Sequence, residues 1–145
     1  MYILLILSVI SFGFGLMYLL RCHLMNYHIS FLAMTETQLN DINPAIVKLF
    51  LALIHVSGSA IISIGIGTFL IAFFPYRDGK QWAWWCLLMM FTMSLVPMFY
   101  VTYTIAQAIP DGLPKSPWWL TLIMFVLMLV ALAIGFGSGK KKTGV

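Results

Sequence analysis

Charged residues are scarce in this chain. Eight basic and four acidic residues are spread over 145 positions, so that 8% of the chain is charged and 62% is hydrophobic. An ordinary soluble domain is about 25% charged and about 45–50% apolar, and the composition therefore excludes a water-soluble domain of this size. All four acidic residues lie outside the long apolar runs, which leaves no buried carboxylate of the kind that proton relays in membranes commonly use.

Cysteines are few, and basic residues are absent from the start of the chain. Cys22 follows the first apolar run and Cys86 lies near the start of the third. We expect these positions to face opposite sides of a membrane, a separation that excludes an intramolecular disulfide. No Lys or Arg precedes Arg21, whereas a cleaved signal peptide has a basic start and a short apolar core. The first run is therefore predicted to be retained as a membrane span.

Four long apolar runs make up most of the chain. They cover approximately residues 2–20, 45–74, 82–106 and 118–136. A helix needs about 20 apolar residues to cross a bilayer, and in lipid it satisfies all its backbone polar groups internally. The sequence predicts an all-α fold, an integral membrane four-helix bundle with up-down topology, as one domain over residues 1–145.

Capping residues and prolines mark the helix boundaries. Asn43 before Pro44, and Ser116 before Pro117, each place a capping side chain ahead of a proline at the first helical position. Pro97 lies inside the third run, where it removes a backbone hydrogen bond and bends the helix, either as a static kink or as a hinge. The freed carbonyl needs another partner, and we expect it among neighbouring hydroxyls or an adjacent helix. The candidate hydroxyls are Thr92, Ser94, Thr102 and Thr104.

The first loop, residues 21–43, is the longest polar stretch. Bundle connections are usually about 2–8 residues long, and long loops often have a function. Thr35 with Gln38 has the form of a capping box, which predicts a short surface helix over residues 36–41. The loop also contains the one set of side chains that resembles a metal or interfacial catalytic site, although the five-residue spacing of its histidines does not place them on one helix face. These residues are His23, His28, Glu36 and Asp41.

His55 and a stripe of small residues are the notable features of the second run. An ionisable side chain within a membrane is a functional candidate, for example as a proton carrier or metal ligand. The alternative is a neutral imidazole bonded to a hydroxyl or carbonyl of a neighbouring helix, with Tyr100, Tyr103 or Thr104 as candidate partners. Ser59, Ser63 and Gly67 recur every four residues. Such a stripe lets helices approach closely, either within the bundle or with another copy.

Basic residues and tryptophans predict the orientation and the membrane contacts. Five basic residues fall on the side that contains both termini and the second loop, residues 76–81. Arg21, Lys48 and Lys115 fall on the other side. Cytoplasmic loops are enriched in such residues, so we expect an inner-membrane protein with both termini cytoplasmic, although Arg21 argues for the opposite orientation. The expected partners are the lipid bilayer and other membrane proteins or a second copy, not nucleic acid. Five tryptophans at span ends are expected to anchor the interfaces: Trp82, Trp84, Trp85, Trp118 and Trp119.

The start sites of three runs share a pattern with a known group of proteins. Asn43-Pro44 opens the second run, Arg77-x-Gly79-x-x-Trp82-Ala83-Trp84-Trp85 the third, and Ser116-Pro117-Trp118 the fourth. From about residue 30 onward the chain resembles small four-helix bacterial membrane proteins of unknown function. The resemblance implies the fold and the location, and it transfers no active residue.

Three functions are compatible with the sequence. The first is a non-enzymatic structural or accessory membrane protein without a cofactor. The second is a small oligomeric transporter or channel that uses His55. The third is a membrane enzyme that acts on lipid or quinone at the outer interface, which predicts a pocket beneath the first loop.

Overall fold

A computed structural model describes the backbone of residues 1–139 and the side chains of residues 1–135. Lysines 140–142, which contribute to the predicted orientation, lie outside the described residues. Within residues 1–139 the chain forms six α-helices and no β-strand. They are α1 (Tyr2–Leu19), α2 (Asn26–Leu32), α3 (Glu36–Ile42), α4 (Pro44–Ile71), α5 (Gln81–Ala108) and α6 (Trp118–Gly139), and α4 continues as a π-helical turn, Ala72–Tyr76.

Four of the described helices are long and apolar enough to cross a membrane, namely α1, α4 with its π-helical turn, α5 and α6. Their bounds lie within three residues of the predicted runs. The all-helical prediction is confirmed, but the first loop contains two further helices. Of these, α3 was expected from its capping box and α2 was not, because α2 starts without a side-chain cap and ends at an alanine.

The predicted helix starts are confirmed in two of three cases. The Thr35 hydroxyl accepts from the Gln38 N–H while the Gln38 side chain accepts from the Thr35 N–H, which completes the capping box of α3. The Asn43 side chain accepts from the Ala45 N–H, with Pro44 in the first turn of α4. Ser116 differs: its hydroxyl is buried without a hydrogen-bond partner, and α6 begins after Pro117.

The π-helical turn that continues α4 ends at Tyr76, two residues beyond the predicted end of the run, because this turn accommodates Pro75. In an α-helix a proline lacks the N–H and clashes with the carbonyl one turn back, and the wider π turn relieves this conflict. The chain then reverses at Gly79, whose φ of +75° is a conformation that glycine adopts without steric cost. The Lys80 N–H donates to the Pro75 carbonyl at 2.9 Å and closes the turn.

Helices α1 and α4 pack together through glycines. A Cβ added at Gly58 would lie 2.7 Å from the Leu19 nitrogen, and one at Gly15 would lie 2.7 Å from the Gly58 carbonyl oxygen. A Cβ added at Gly65 would lie 2.9 Å from the Phe12 nitrogen. Only residues without a side chain allow backbones to approach this closely. The contact therefore pairs the second half of α1 with residues 58–65, in the second half of α4.

The two main helix pairs, α1 with α4 and α5 with α6, meet at the end that carries the second loop. Here the Tyr76 hydroxyl donates to the Ala131 carbonyl at 3.3 Å, and the Trp84 Nε1–H donates to the Leu132 carbonyl at 2.9 Å. Apolar side chains from α1, α4, α5 and α6 fill the space between the pairs. The buried residues of this closed end are Leu4, Leu7, Ala72, Leu87, Phe91, Leu95, Met128, Ala131 and Leu132.

Two of the predicted tryptophan anchors have other contacts in the structure. Trp84 is half-buried and bonded to α6, and Trp118 packs edge-on against Tyr103 at 5.6 Å between ring centroids. Trp82, Trp85 and Trp119 are exposed, as an interface anchor requires. One tryptophan at each end of the α5–α6 pair therefore joins the two helices.

Candidate functional site

His55 donates its Nε2–H to the backbone carbonyl oxygen of Arg21, at 2.7 Å. This bond joins α4 to the residue that follows the end of α1. The carbonyl can only accept, so the bond requires the proton on Nε2. The partner is a backbone carbonyl, as one alternative expected, but the hydroxyl partners proposed on α5 were wrong. His55 therefore has a structural contact.

The side chains of the first loop do not form one site. His23 Nδ1 lies 3.3 Å from Glu36 Oε1, and the Leu24 N–H donates to Glu36 Oε2 at 3.2 Å. His23 is 80% exposed, and Asp41 is also exposed. Within residues 1–139 no three His, Cys, Asp or Glu side chains lie close enough to hold a metal ion. Glu36 joins the start of the loop to the first turn of α3, which is a structural role.

His28 lies apart from the other three loop residues, on the side of α2 that faces the long helices. Its ring contacts Tyr27 at 4.2 Å between centroids, and its Nδ1 atom is buried without a hydrogen-bond partner. Burial disfavours the imidazolium and lowers the pKa of His28 below 6.5. The side chain is consequently neutral and suited to an apolar wall.

A cavity of about 230 Å³ lies beneath α2. Four helices form its walls. The part of α4 that lines it lies nearer to the first loop than the closed end does. The lining residues are Tyr18 of α1, His28, Phe31 and Leu32 of α2, Phe50, Leu53, Ile54 and Ser57 of α4, and Ile105 of α5. The sequence predicted a pocket beneath the first loop for the interfacial function, and it placed His28 there by implication. It missed every other lining residue, because these are ordinary apolar positions of separate helices.

The roof of the cavity is fixed by an apolar cluster and a pair of tyrosines. Leu24, Leu39, Val47 and Ile54 are buried together and hold α2 and α3 on the first turns of α4. The hydroxyls of Tyr18 and Tyr27 lie 3.1 Å apart. Burial raises the pKa of Tyr27, and the neighbouring Tyr18 raises it further, whereas the Arg21 charge opposes the shift. The Arg21 backbone N–H donates to the Tyr18 carbonyl at 3.3 Å, which places the Arg21 backbone beside Tyr18.

The small-residue stripe on α4 does not make the close α1 contact. Ser59 and Ser63 are exposed, and their hydroxyls donate to the Val56 and Ser59 carbonyls of α4. Gly67 faces α5, where an added Cβ would lie 3.5 Å from Met90 Sδ. The close contact uses Gly58 and Gly65 instead. Their seven-residue spacing places both on one face of α4, and this spacing would have predicted the contact.

Pro97 lies within an uninterrupted α5 and is exposed. The hydroxyls expected to satisfy its freed carbonyl bond elsewhere: Ser94 donates to Met90 at 2.6 Å, Thr102 to Met98 at 2.8 Å, and Thr104 to Tyr100. Each of these bonds joins a side chain to the preceding turn of its own helix. The structure gives Pro97 no contact that indicates a hinge.

The chain was compared with protein-family models, with curated proteins and with solved structures, and none of them matches. The resemblance to small bacterial four-helix membrane proteins therefore stays a prediction.

Proposed function

We propose that this chain is a non-enzymatic integral membrane protein that serves as a structural or accessory subunit. The observation that carries the proposal is the use of polar side chains in the long helices. His55 donates to the Arg21 carbonyl, and the hydroxyls of Ser57, Ser59 and Ser63 donate to carbonyls of α4. The His55 bond joins α4 to the segment that follows α1, whereas the serine bonds lie within α4, so backbone carbonyls already satisfy these polar groups. In the described part of the chain, these side chains are therefore not aimed at a reacting substrate.

Membrane insertion is supported by the surface of the long helices. Between 17 and 28% of the most apolar window of each helix is buried, so most of these apolar side chains face outward. Met93, Tyr100 and Val56 are 71%, 69% and 66% exposed. Soluble monomers rarely expose continuous apolar surface of this extent. We propose an up-down crossing of the inner membrane by α1, α4, α5 and α6, with both termini cytoplasmic.

The orientation can be tested with the native cysteines, which are both exposed. Replacing Cys86 with Ala leaves Cys22, which follows α1 in the first loop. We expect a membrane-impermeant thiol reagent to label Cys22 from the outside of intact, sealed cells or vesicles. Labelling only after the membrane is opened would reverse the proposed orientation, and labelling of a soluble fraction would exclude membrane insertion.

The accessory role predicts a defined complex in mild detergent. The exposed Ser59–Ser63 surface is the proposed contact, so Ser63→Trp is expected to shift the chain from that complex to a smaller species on a native gel. Met93→Trp places the same side chain on an exposed position of α5 and is expected to leave the complex intact. A single small species for the unmodified chain, extracted directly from its own membrane, would contradict the accessory role.

The cavity beneath α2 favours one part of the interfacial-enzyme alternative, namely the binding of a lipid-like molecule at the outer interface. It does not supply the proposed chemistry, because His23 and Asp41 are exposed and do not line it. The channel alternative expects His55 in a water-filled cavity, but the described cavity is lined by other residues. Liposome flux that disappears in His55→Ala would revive that alternative.

A further inference from the structure

The cavity beneath α2 lies between the two helix pairs, at the end opposite to their closed end. The Gly67–Met90 contact brings α4 and α5 together near the second loop. Toward the first loop, α2 contacts α5 and covers the space between α4 and α5. Ser57 lies 13 positions after the start of α4, which corresponds to roughly 20 Å of helix at about 1.5 Å per residue. If α4 crosses a membrane as proposed, the cavity extends from the headgroup level into the hydrocarbon layer.

The lining and size of the cavity are suited to a hydrocarbon chain. Most of its lining side chains are aliphatic or aromatic, and the Ser57 hydroxyl is already bonded to the Leu53 carbonyl at 2.8 Å. Phe31 and Leu53 also reach the surface, being 48% and 55% exposed. A volume of about 230 Å³ is smaller than the roughly 300 Å³ of the smallest usual ligand pockets. The cavity therefore holds part of a chain and not a whole bulky ligand.

The rim of the cavity carries a positive charge. Arg21 lies just past the end of α1, and its N–H donates to the carbonyl of Tyr18, which lines the cavity. The Arg21 backbone is held by His55 at 2.7 Å, and the Arg21 charge opposes the rise that burial causes in the pKa of Tyr27. Of the two acidic residues of α3, Glu36 is already bonded to the Leu24 N–H and lies beside His23, and Asp41 is exposed. An anionic head is the group that complements this rim.

We propose that this cavity binds the acyl chain of an anionic amphiphile, with the negatively charged head at Arg21. The chain enters between α4 and α5 beneath α2, and the head stays at the level of the first loop. The carboxylate of a free fatty acid and the phosphate of an anionic phospholipid share this chemistry. The proposal depends on the membrane insertion proposed above, and it does not depend on the accessory role.

Photo-crosslinking tests the location of the chain. The full-length protein in lipid nanodiscs is exposed to a fatty acid, or to phosphatidylglycerol, that carries a diazirine within its acyl chain, and the labelled peptides are identified by mass spectrometry. We expect the cavity residues on α2 and α4 to be labelled at low probe concentration, at which general lipid-facing positions such as Met93 are labelled weakly. Labelling by either probe supports the proposal and identifies the source of the head.

Filling the cavity is expected to remove this labelling. In Ser57→Phe the ring occupies the space of the chain, and we expect labelling at α2 to fall about tenfold or more. Ala52→Phe is the control, because Ala52 is exposed on α4, does not line the cavity and lies outside the proposed Ser59–Ser63 contact. Ile105→Trp fills the cavity from α5 and keeps the test valid if Ser57→Phe fails to fold.

The charge of the head is tested separately. Arg21→Gln is expected to weaken labelling by the fatty acid or phosphatidylglycerol several-fold and to leave labelling by the matched fatty alcohol or phosphatidylcholine unchanged. Lys48→Gln removes a cation from the same side of the chain and is expected to have no such effect.

Two results would overturn the proposal. One is labelling at α2 that persists in both filled variants, and the other is equal labelling by charged and neutral probes in the unmodified protein. A failure of membrane insertion is distinguishable, because Met93 and Val56 would then also remain unlabelled at high probe concentration.

Discussion

His55 Nε2 lies 2.7 Å from the carbonyl oxygen of Arg21, so that a side chain of α4 closes the end of α1. Replacing His55 with Ala leaves this carbonyl without its partner. Hydrogen bonds between helices in membranes contribute about 0.6–2 kcal/mol, and we expect a loss of that size in the free energy of unfolding. Denaturant titration in mixed micelles measures it.

The control for this prediction is His23→Ala. His23 is 80% exposed and faces Glu36 at 3.3 Å, and exposed ion pairs contribute little to stability. Its replacement is therefore expected to cost less than that of His55. Equal stability of the His55→Ala variant and the unmodified chain would show that the bond contributes nothing.

The close approach of α1 and α4 predicts a strong position effect among the glycines. In Gly58→Ala the new methyl group would lie 2.7 Å from the Leu19 nitrogen, which is backbone and cannot rotate away. Overpacking of this kind costs about 1–3 kcal/mol. We expect Gly58→Ala to lower the free energy of unfolding by about this amount in the same titration.

Gly13→Ala supplies the matched control. Gly13 lies in α1, and an added Cβ there meets nothing within 4 Å. Alanine has the higher helix propensity by about 1 kcal/mol, so this change is expected to be neutral or stabilising. If Gly13→Ala and Gly58→Ala have the same effect, helix propensity and not backbone contact explains the glycines.

Features that depend on a short stretch of sequence could be predicted here. The capping box at Thr35 and Gln38 and the Asn43-Pro44 start of α4 were confirmed because each uses bonds within a few residues. The end of α4 was placed too early because proline usually terminates an α-helix, and the π-helical turn around Pro75 removes that conflict. Short-range sequence rules therefore predicted the long helices but not the π-helical turn that extends α4.

Features that depend on which helix faces meet could not be predicted. His55 was recognised as unusual, but its partner is 34 positions away at the end of another helix. The cavity beneath α2 likewise draws Tyr18, Phe50 and Ile105 from three helices, and no spacing in the sequence connects them. Apolar residues occur on every face of these helices, so the pattern alone does not show which face is buried.

Ala33, which ends α2, has a φ of +52°, and it is the only non-glycine residue with positive φ among the described residues. The left-handed conformation costs a residue with a Cβ about 1–2 kcal/mol. We therefore expect Ala33→Gly to increase the free energy of unfolding, by up to about 1 kcal/mol after the greater flexibility of glycine in the unfolded chain is subtracted. Ala60→Gly in the middle of α4 is the control and is expected to destabilise by about 1 kcal/mol. A loss of stability in both variants would contradict the prediction.

The pH dependence of stability should depend on His28. Burial lowers the pKa of His28 below 6.5, so the folded chain binds fewer protons at this residue than the unfolded chain does in the interval between the two pKa values. The contribution of His28 to the free energy of unfolding therefore rises with pH through this interval, and it is lost as the pH falls below about 6.5. Unfolding measured at several values between about pH 5 and about pH 8 is expected to show this slope.

His28→Phe replaces the imidazole with an apolar ring, which removes the titrating group while keeping the side chain aromatic. We expect this variant to lose the slope that His28 contributes, because Phe binds no proton in either state. His23→Gln removes an imidazole that is 80% exposed, and the slope is expected to persist. If the free energy of unfolding depends on pH equally in His28→Phe and in the unmodified chain, another group controls the acid sensitivity. The buried wall of the cavity would then make no contribution to this pH dependence.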